Sequence, residues 1–167
     1  EILRRPIRSV LDIGCGEGSW GIELRKLRPA VHYAGIDTSA YAVERFGRAR
    51  NLYQGRIGDL ATLDVGRESF DAIVCADVLH YVPDGEIEAA LPNLVDRRDG
   101  IAYLSAFTRE DDPTGDLTGW IPRPASWYRA QFRRAGLTNC GMQCWLSPLV
   151  RESASAPSRS VLARSAD

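Results

Sequence analysis

Three glycines and two carboxylates carry the chemistry this sequence can do. Val10-Leu11-Asp12-Ile13-Gly14-Cys15-Gly16-Glu17-Gly18 is an apolar run that meets a G-x-G-x-G turn. A turn that tight uses backbone angles that residues with a Cβ avoid, and its bare main chain lets a ligand come close. The helix that follows aims its free N–H groups at the same space. Asp37 closes the next apolar run, Tyr33-Ala34-Gly35-Ile36-Asp37, 19 residues beyond Gly18. A carboxylate at that remove is placed to grip a ribose. Strand, glycine turn, helix, strand and acid together point to a crevice for an adenosine-bearing cofactor.

Two cofactors suit such a crevice, a dinucleotide and S-adenosylmethionine. The dinucleotide fingerprint is G-x-G-x-x-G. Gly14 and Gly16 fit its first two positions, but the third falls on Ser19. Asp12, two residues ahead of Gly14, would repel a pyrophosphate and attract an ammonium and a sulfonium. Charge therefore favours the sulfonium cofactor over NAD.

The pattern resembles the class I S-adenosylmethionine-dependent methyltransferases. Asp12-Ile13-Gly14-Cys15-Gly16-Glu17-Gly18 is similar to that family's first motif, and Gly35-Ile36-Asp37-Thr38-Ser39 to its second, whose acid holds the ribose hydroxyls. Gly58-Asp59-Leu60 is similar to the third, whose acid reaches the adenine amino group. The segment from Phe70 through Cys75, Ala76 and Asp77 to Asp84 is similar to the fourth, and Ala135-Gly136-Leu137 to the end of the last helix. The resemblance implies a single Rossmann-like domain over residues 1–167, with a seven-stranded, mostly parallel sheet, helices on both faces and the last strand antiparallel. It also implies cofactor contacts from Asp12, Gly14, Cys15, Gly16, Gly18, Asp37, Thr38, Asp59, Leu60, Ala76 and Asp77, with S-adenosylhomocysteine as product. Only nine residues precede Val10, so helices that relatives carry there are expected to be missing.

Alternating strand and helix signals independently call for a parallel sheet. Strands are expected at Ser9–Ile13, 32–36, 53–57, 72–75 and 101–107, and helices at Ser19–Leu27 and Ala40–Arg50. A third helix starts near Gly85 behind Asp84, with Pro92 expected to kink or interrupt it. A fourth begins at Pro124 and stops at Gly136. Segments 142–146 and 160–163 are expected to form a final antiparallel pair, joined by a loop rich in Ser, Ala and Pro.

Ligands in open α/β sheets bind at the carboxyl ends of the strands, where every one of these candidates falls. Asp37 and Asp59 have a second reading as caps of the turns that follow them. Methyl transfer is a direct displacement, so the protein's main work is alignment, which can lower a barrier by roughly 7–11 kcal/mol. A base is useful only if the acceptor must lose a proton. His80, just after strand four, is the candidate for it, with lining the pocket as the alternative. Tyr81 and Trp120 are candidates for the acceptor wall; Trp127 and Tyr128 read either as part of a lid over the acceptor or, with Phe132, as the core face of the last helix. His32 reads as structural.

The 167 residues carry a net charge of −1, so no electrostatic footprint for nucleic acid is present. The Asn/Asp-Pro-Pro-aromatic run typical of enzymes that methylate amines of DNA bases is also missing; this chain has Cys75-Ala76-Asp77-Val78 there. A small-molecule acceptor is expected. The apolar runs are strand-length, too short for a membrane span, and no signal peptide is visible. Cys15, Cys75, Cys140 and Cys144 lack metal spacing and read as reduced thiols of a cytoplasmic protein, monomer or homodimer. Competing readings are a non-catalytic module that binds the cofactor and an NAD-dependent oxidoreductase.

Overall fold

The computed structural model describes Leu3, residues 5–115 and residues 117–147. In chain order the elements are β1 (Ser9–Ile13), α1 (Ser19–Leu27), β2 (His32–Asp37), α2 (Ala40–Arg50), β3 (Leu52–Gln54), β4 (Phe70–Cys75), α3 (Asp84–Asp96), β5 (Arg98–Leu104), α4 (Ala125–Arg134), β6 (Thr138–Gly141) and β7 (Cys144–Leu146). Short 3₁₀ turns occupy Ile57–Ala61 and Leu79–Tyr81. The strands form one seven-stranded sheet in the order β3-β2-β1-β4-β5-β7-β6. Every pairing is parallel except those of β7, which runs antiparallel to both β5 and β6.

All five residues of β1 are buried, as a strand covered on both faces demands. Crossovers run outward from β1 to β3 in one direction and from β4 to β5 in the other. Right-handed connections therefore place α1 and α2 on one face and α3 on the opposite one. On the α3 side, Leu11, Ile13, Ile36, Ile73 and Cys75 join Ile87, Leu91, Phe132 and Trp145 in one continuous core. On the α1 side the Tyr33 ring lies so near Gly21 that a Cβ there would stand 2.5 Å from it. Ser39 caps α2 by accepting the Ala42 N–H at 3.2 Å, and Asn51 ends it in the left-handed conformation.

The first two helices and β1 fall where the sequence places them, and Gly136 provides the left-handed stop after α4 (φ 83°). Four expectations need correction. β5 spans Arg98–Leu104 and not 101–107. β3 ends at Gln54, so Ile57 leaves the strand and opens a 3₁₀ turn. Helix α3 runs unbroken through Pro92. An interior proline costs about 3 kcal/mol, and the burial of Ile87, Ala90, Leu91 and Leu94 against the sheet outweighs it. The closing antiparallel pair is β6 with β7, joined by Met142 and Gln143, both at positive φ. That backbone matches the two-residue turn favoured in hairpins. The expected strand at 160–163 and the loop before it lie outside the described residues.

Candidate functional site

Strand order reverses between β1 and β4, and a crevice of about 570 Å³ opens at the carboxyl ends of the strands there. Gly14, Asp37, Thr38, Asp77 and Tyr81 line it, as the sequence expects. Its wall also includes Arg56, Val78, Pro83 and Glu86, which sequence reasoning missed. The wall carries the carboxylates Asp37, Asp77 and Glu86 against the single cation Arg56. Such a lining suits a cationic ligand and opposes a pyrophosphate.

The glycine turn is held from two sides. Gly14 has φ 74°, and a Cβ on it would stand 2.1 Å from Val78 Cγ2, so the turn after β1 and the loop after β4 interlock. Gly16 (φ 55°) faces open space and Gly18 (φ 75°) packs on Leu52, so of the three glycines only Gly14 lines the crevice. The Gly14 and Cys15 N–H groups donate to the Ile36 carbonyl at 2.8 and 3.1 Å. Asp37 completes the brace: Oδ2 accepts the Gly16 N–H at 2.7 Å and Oδ1 the Ser39 N–H at 2.9 Å.

Several candidates sit elsewhere. Asp12 is buried on the α1 side of β1 and accepts the Tyr33 hydroxyl at 2.7 Å, so it does not line the crevice. Burial, set against that hydrogen bond and added to by the nearby Asp37 charge, pushes its carboxyl up to about 6. The folded state therefore holds this proton more tightly than the unfolded chain, and stability is lost as pH rises through about 4 to 6. The rise from 3.8 to about 6 corresponds to about 3 kcal/mol. Asp12→Asn keeps an acceptor for Tyr33, so it should be more stable than the wild type at pH 7 and nearly equal at pH 4. Denaturant melts at the two pH values check this.

The Cys15 side chain turns back onto Gly35, where a Cβ would lie 2.6 Å from its sulfur; burial first, then Asp12, pushes the thiol up to about 12. Only the main chain of Cys15 belongs to the turn. Asp59 Oδ2 accepts the Arg56 N–H at 2.8 Å and caps the 3₁₀ turn, and the Leu60 side chain is fully buried in the core. Both miss the crevice because β3 stops three residues early, which brings residues 55–57 to the rim in their place. Ala76 is exposed beside Asp77 but does not line the crevice. Trp120 is half-buried and outside it as well.

His80 is 1% exposed, and its Nδ1 accepts the Phe107 N–H at 3.2 Å. The ring packs between Tyr81 and Phe107, with centroids at 4.2 and 5.1 Å. Burial lowers its pKa, and with Nδ1 already taken by the Phe107 N–H and the ring shut off from solvent, the geometry opposes a role as base. It is a packing hub: its carbonyl also accepts the Ile121 N–H at 2.8 Å. His80→Asn, which retains an acceptor for Phe107, should melt at a lower temperature yet bind S-adenosylhomocysteine as the wild type does. A tenfold loss of affinity in a calorimetric titration would return His80 to the site.

Arg123 is the structural residue that the sequence did not announce. It is 4% exposed and reaches Asp84 Oδ1 through Nε at 2.7 Å, the Leu79 carbonyl at 3.1 Å and the Val82 carbonyl at 2.6 Å. It thereby fastens the wall segment 79–84 to the start of α4. The Arg109 N–H donates to the Arg123 carbonyl at 2.8 Å, which closes the neck of the long loop between β5 and α4. Among the described residues no cluster of His, Cys, Asp and Glu could hold a metal, and no helix is long and apolar enough to cross a membrane.

Sheet order, a single reversed strand and a glycine turn braced by an acid define the Rossmann-like fold of S-adenosylmethionine-dependent methyltransferases. A methyltransferase-domain family model matches residues 10–97. The chain belongs to that methyltransferase-domain family. It is 32% identical over 111 residues to a ubiquinone biosynthesis O-methyltransferase of Neisseria meningitidis, covering 61% of this chain and 45% of that protein. The chain spans less than half the length of the curated relatives it matches. A SAM-dependent methyltransferase from Archaeoglobus fulgidus superposes with a TM-score of 0.65 at 17% identity, over 82% of this chain and 64% of the other. An O-methyltransferase from a trans-AT polyketide synthase multienzyme of Brevibacillus brevis, solved with S-adenosylhomocysteine, gives 0.62 at 16% identity, over 82% and 50%.

Proposed function

We propose that this chain binds S-adenosylmethionine in the crevice between β1 and β4 and transfers its methyl group to a small-molecule acceptor. The observation that carries this reading is the convergence of the braced glycine turn, Asp37 and Asp77 on one rim. The residues present fit the cofactor. The crevice lies within the usual range of roughly 300–1,000 Å³ for ligand sites, the charged groups of its wall are mostly acidic, and Gly16 leaves main chain open to a ligand. The ubiquinone-pathway O-methyltransferase and the neighbour solved with S-adenosylhomocysteine support the same reading.

In this reading the main chain of residues 14–18 receives the methionine end, and Asp37 accepts from the ribose hydroxyls. Asp77 faces the cationic centre, and residues 55–57 stand beyond Asp37 on the side of the base. S-adenosylmethionine, when bound, supplies a methyl group already activated by a positive sulfur. Tyr81, Val82 and Pro83 wall the crevice beside it, exclude water and orient the acceptor. Methylation at oxygen agrees with the curated relatives. Free thiols at all four cysteines agree with a reducing, cytoplasmic setting.

Isothermal titration of the chain with S-adenosylhomocysteine and, separately, with NADH tests the proposal. Saturable binding of the first and none of the second is the expected result. Binding of NADH alone would overturn it.

A further inference from the structure

Asp77 stands in a conformation that residues with a side chain seldom adopt. Its φ is 56°, in the left-handed region, where aspartate is among the few non-glycine residues tolerated. Ser105, one residue beyond β5, holds it there. The Asp77 N–H is shared between the Ser105 carbonyl at 3.2 Å and the Ser105 hydroxyl oxygen at 3.1 Å. The same hydroxyl donates to Asp77 Oδ1 at 2.9 Å. Ser105 is 6% exposed, and its own N–H donates to the Cys75 carbonyl at 3.0 Å, so it is fixed to the end of β4. One hydroxyl thus serves as acceptor and donor toward a single neighbour.

The exchange aims a carboxylate. Asp77 lines the crevice beside Gly14 and Val78, and Val78 is the residue that fills the space above Gly14. A change in the Asp77 backbone would carry Val78 with it and disturb the glycine turn. We infer that Ser105 is a positioning residue for cofactor binding, which acts through Asp77 by fixing its left-handed backbone and orienting its carboxylate toward the cationic end of the ligand. The inference rests on the proposed S-adenosylmethionine site. Ser105 itself is not part of the crevice wall.

A double-mutant cycle read by calorimetric titration with S-adenosylmethionine, which carries the positive sulfur, tests it, with thermal melts of each protein alongside. Ser105→Ala should lower affinity about tenfold, the expected loss for a hydrogen bond to a charged group. In an Asp77→Ala background the same change should alter affinity by less than about twofold, because the carboxylate it orients is gone and the Ser105 carbonyl still accepts the N–H of residue 77. Ser105→Cys keeps the volume with weaker hydrogen bonds, should give an intermediate loss, and serves as the second arm should Ser105→Ala fail to fold. A merely structural role would lower the melting temperature and leave the cycle additive, and that outcome overturns the inference, as does wild-type affinity in both Ser105 variants. A wild-type chain that takes up no S-adenosylmethionine overturns the underlying site and this inference together, and so is told apart from failure of Ser105 alone.

Discussion

Replacing Asp37 by alanine should weaken S-adenosylhomocysteine binding by roughly tenfold or more, since a hydrogen bond to a charged group contributes roughly 1.5–3 kcal/mol. Two losses combine. The carboxylate proposed to hold the ribose disappears, and so does the acceptor that ties the Gly16 N–H at 2.7 Å to β2. The turn has then lost its brace, and an ordered approach to the ligand must be recovered on binding at an entropic cost. Asp37→Asn separates the two effects. It keeps one oxygen to accept the Gly16 or the Ser39 N–H but carries no charge, so its affinity should fall between those of the wild type and the alanine variant. Calorimetric titration of the three proteins measures the series. Equal affinity in all three would remove Asp37 from the site.

Arg123→Ala should destabilise the fold by about 3–5 kcal/mol, the combined consequence of leaving two buried or part-buried carbonyls without their donor, at about 1–3 kcal/mol each, and of lost packing. In a chain of this size each kcal/mol shifts the melting temperature by about 2–4 °C, so a fall on the order of 10 °C is expected. The ion pair itself supplies little of this, because the Asp84 side chain is 60% exposed and screened pairs contribute about 0–1 kcal/mol. The larger part is the loss of donors to the Leu79 and Val82 carbonyls and of packing over the Trp127 ring, 4.7 Å from the guanidinium carbon. Asp84→Asn should therefore cost less than about 1 kcal/mol, and Arg123→Lys should not rescue, since an ammonium lacks the planar fork that spans three acceptors. Thermal melts of the three variants decide it. An Arg123→Ala protein that melts with the wild type would show that segment 79–84 is held by other contacts.

β1, α1 and α2 were legible in the sequence because their signals are local. The glycine turn and the apolar run of β1 each declare themselves within a few residues. β6 was hidden, since Thr138-Asn139-Cys140-Gly141 is a polar edge strand with no buried residue to set a pattern. Asp59 and Leu60 stand out in the sequence only through the resemblance of Gly58-Asp59-Leu60 to the family's third motif; with β3 ending at Gln54 they cap a turn and fill the core, and residues 55–57 reach the rim. Asp12 shows the limit of charge reasoning without geometry. The acid is where the pattern requires it, but strand alternation points it at Tyr33, and the negative field in the crevice comes instead from Asp37, Asp77 and Glu86. Arg123 and Ser105 left no trace in spacing at all. Their partners lie roughly 30 to 40 residues away along the chain, and only folding brings them together.

The neck between Arg109 and Arg123 has a consequence for how such a protein diversifies. Its two ends are pinned to each other and, through Ile121, to the backbone of His80. Lengthening the stretch between them changes little else, for doubling a loop costs only about 0.6 kcal/mol of closure entropy. Descendants or designers can rewrite that stretch and leave the crevice wall untouched, since none of its described residues belongs to that wall. Variation at the loop and constancy at the crevice are thereby inherited separately.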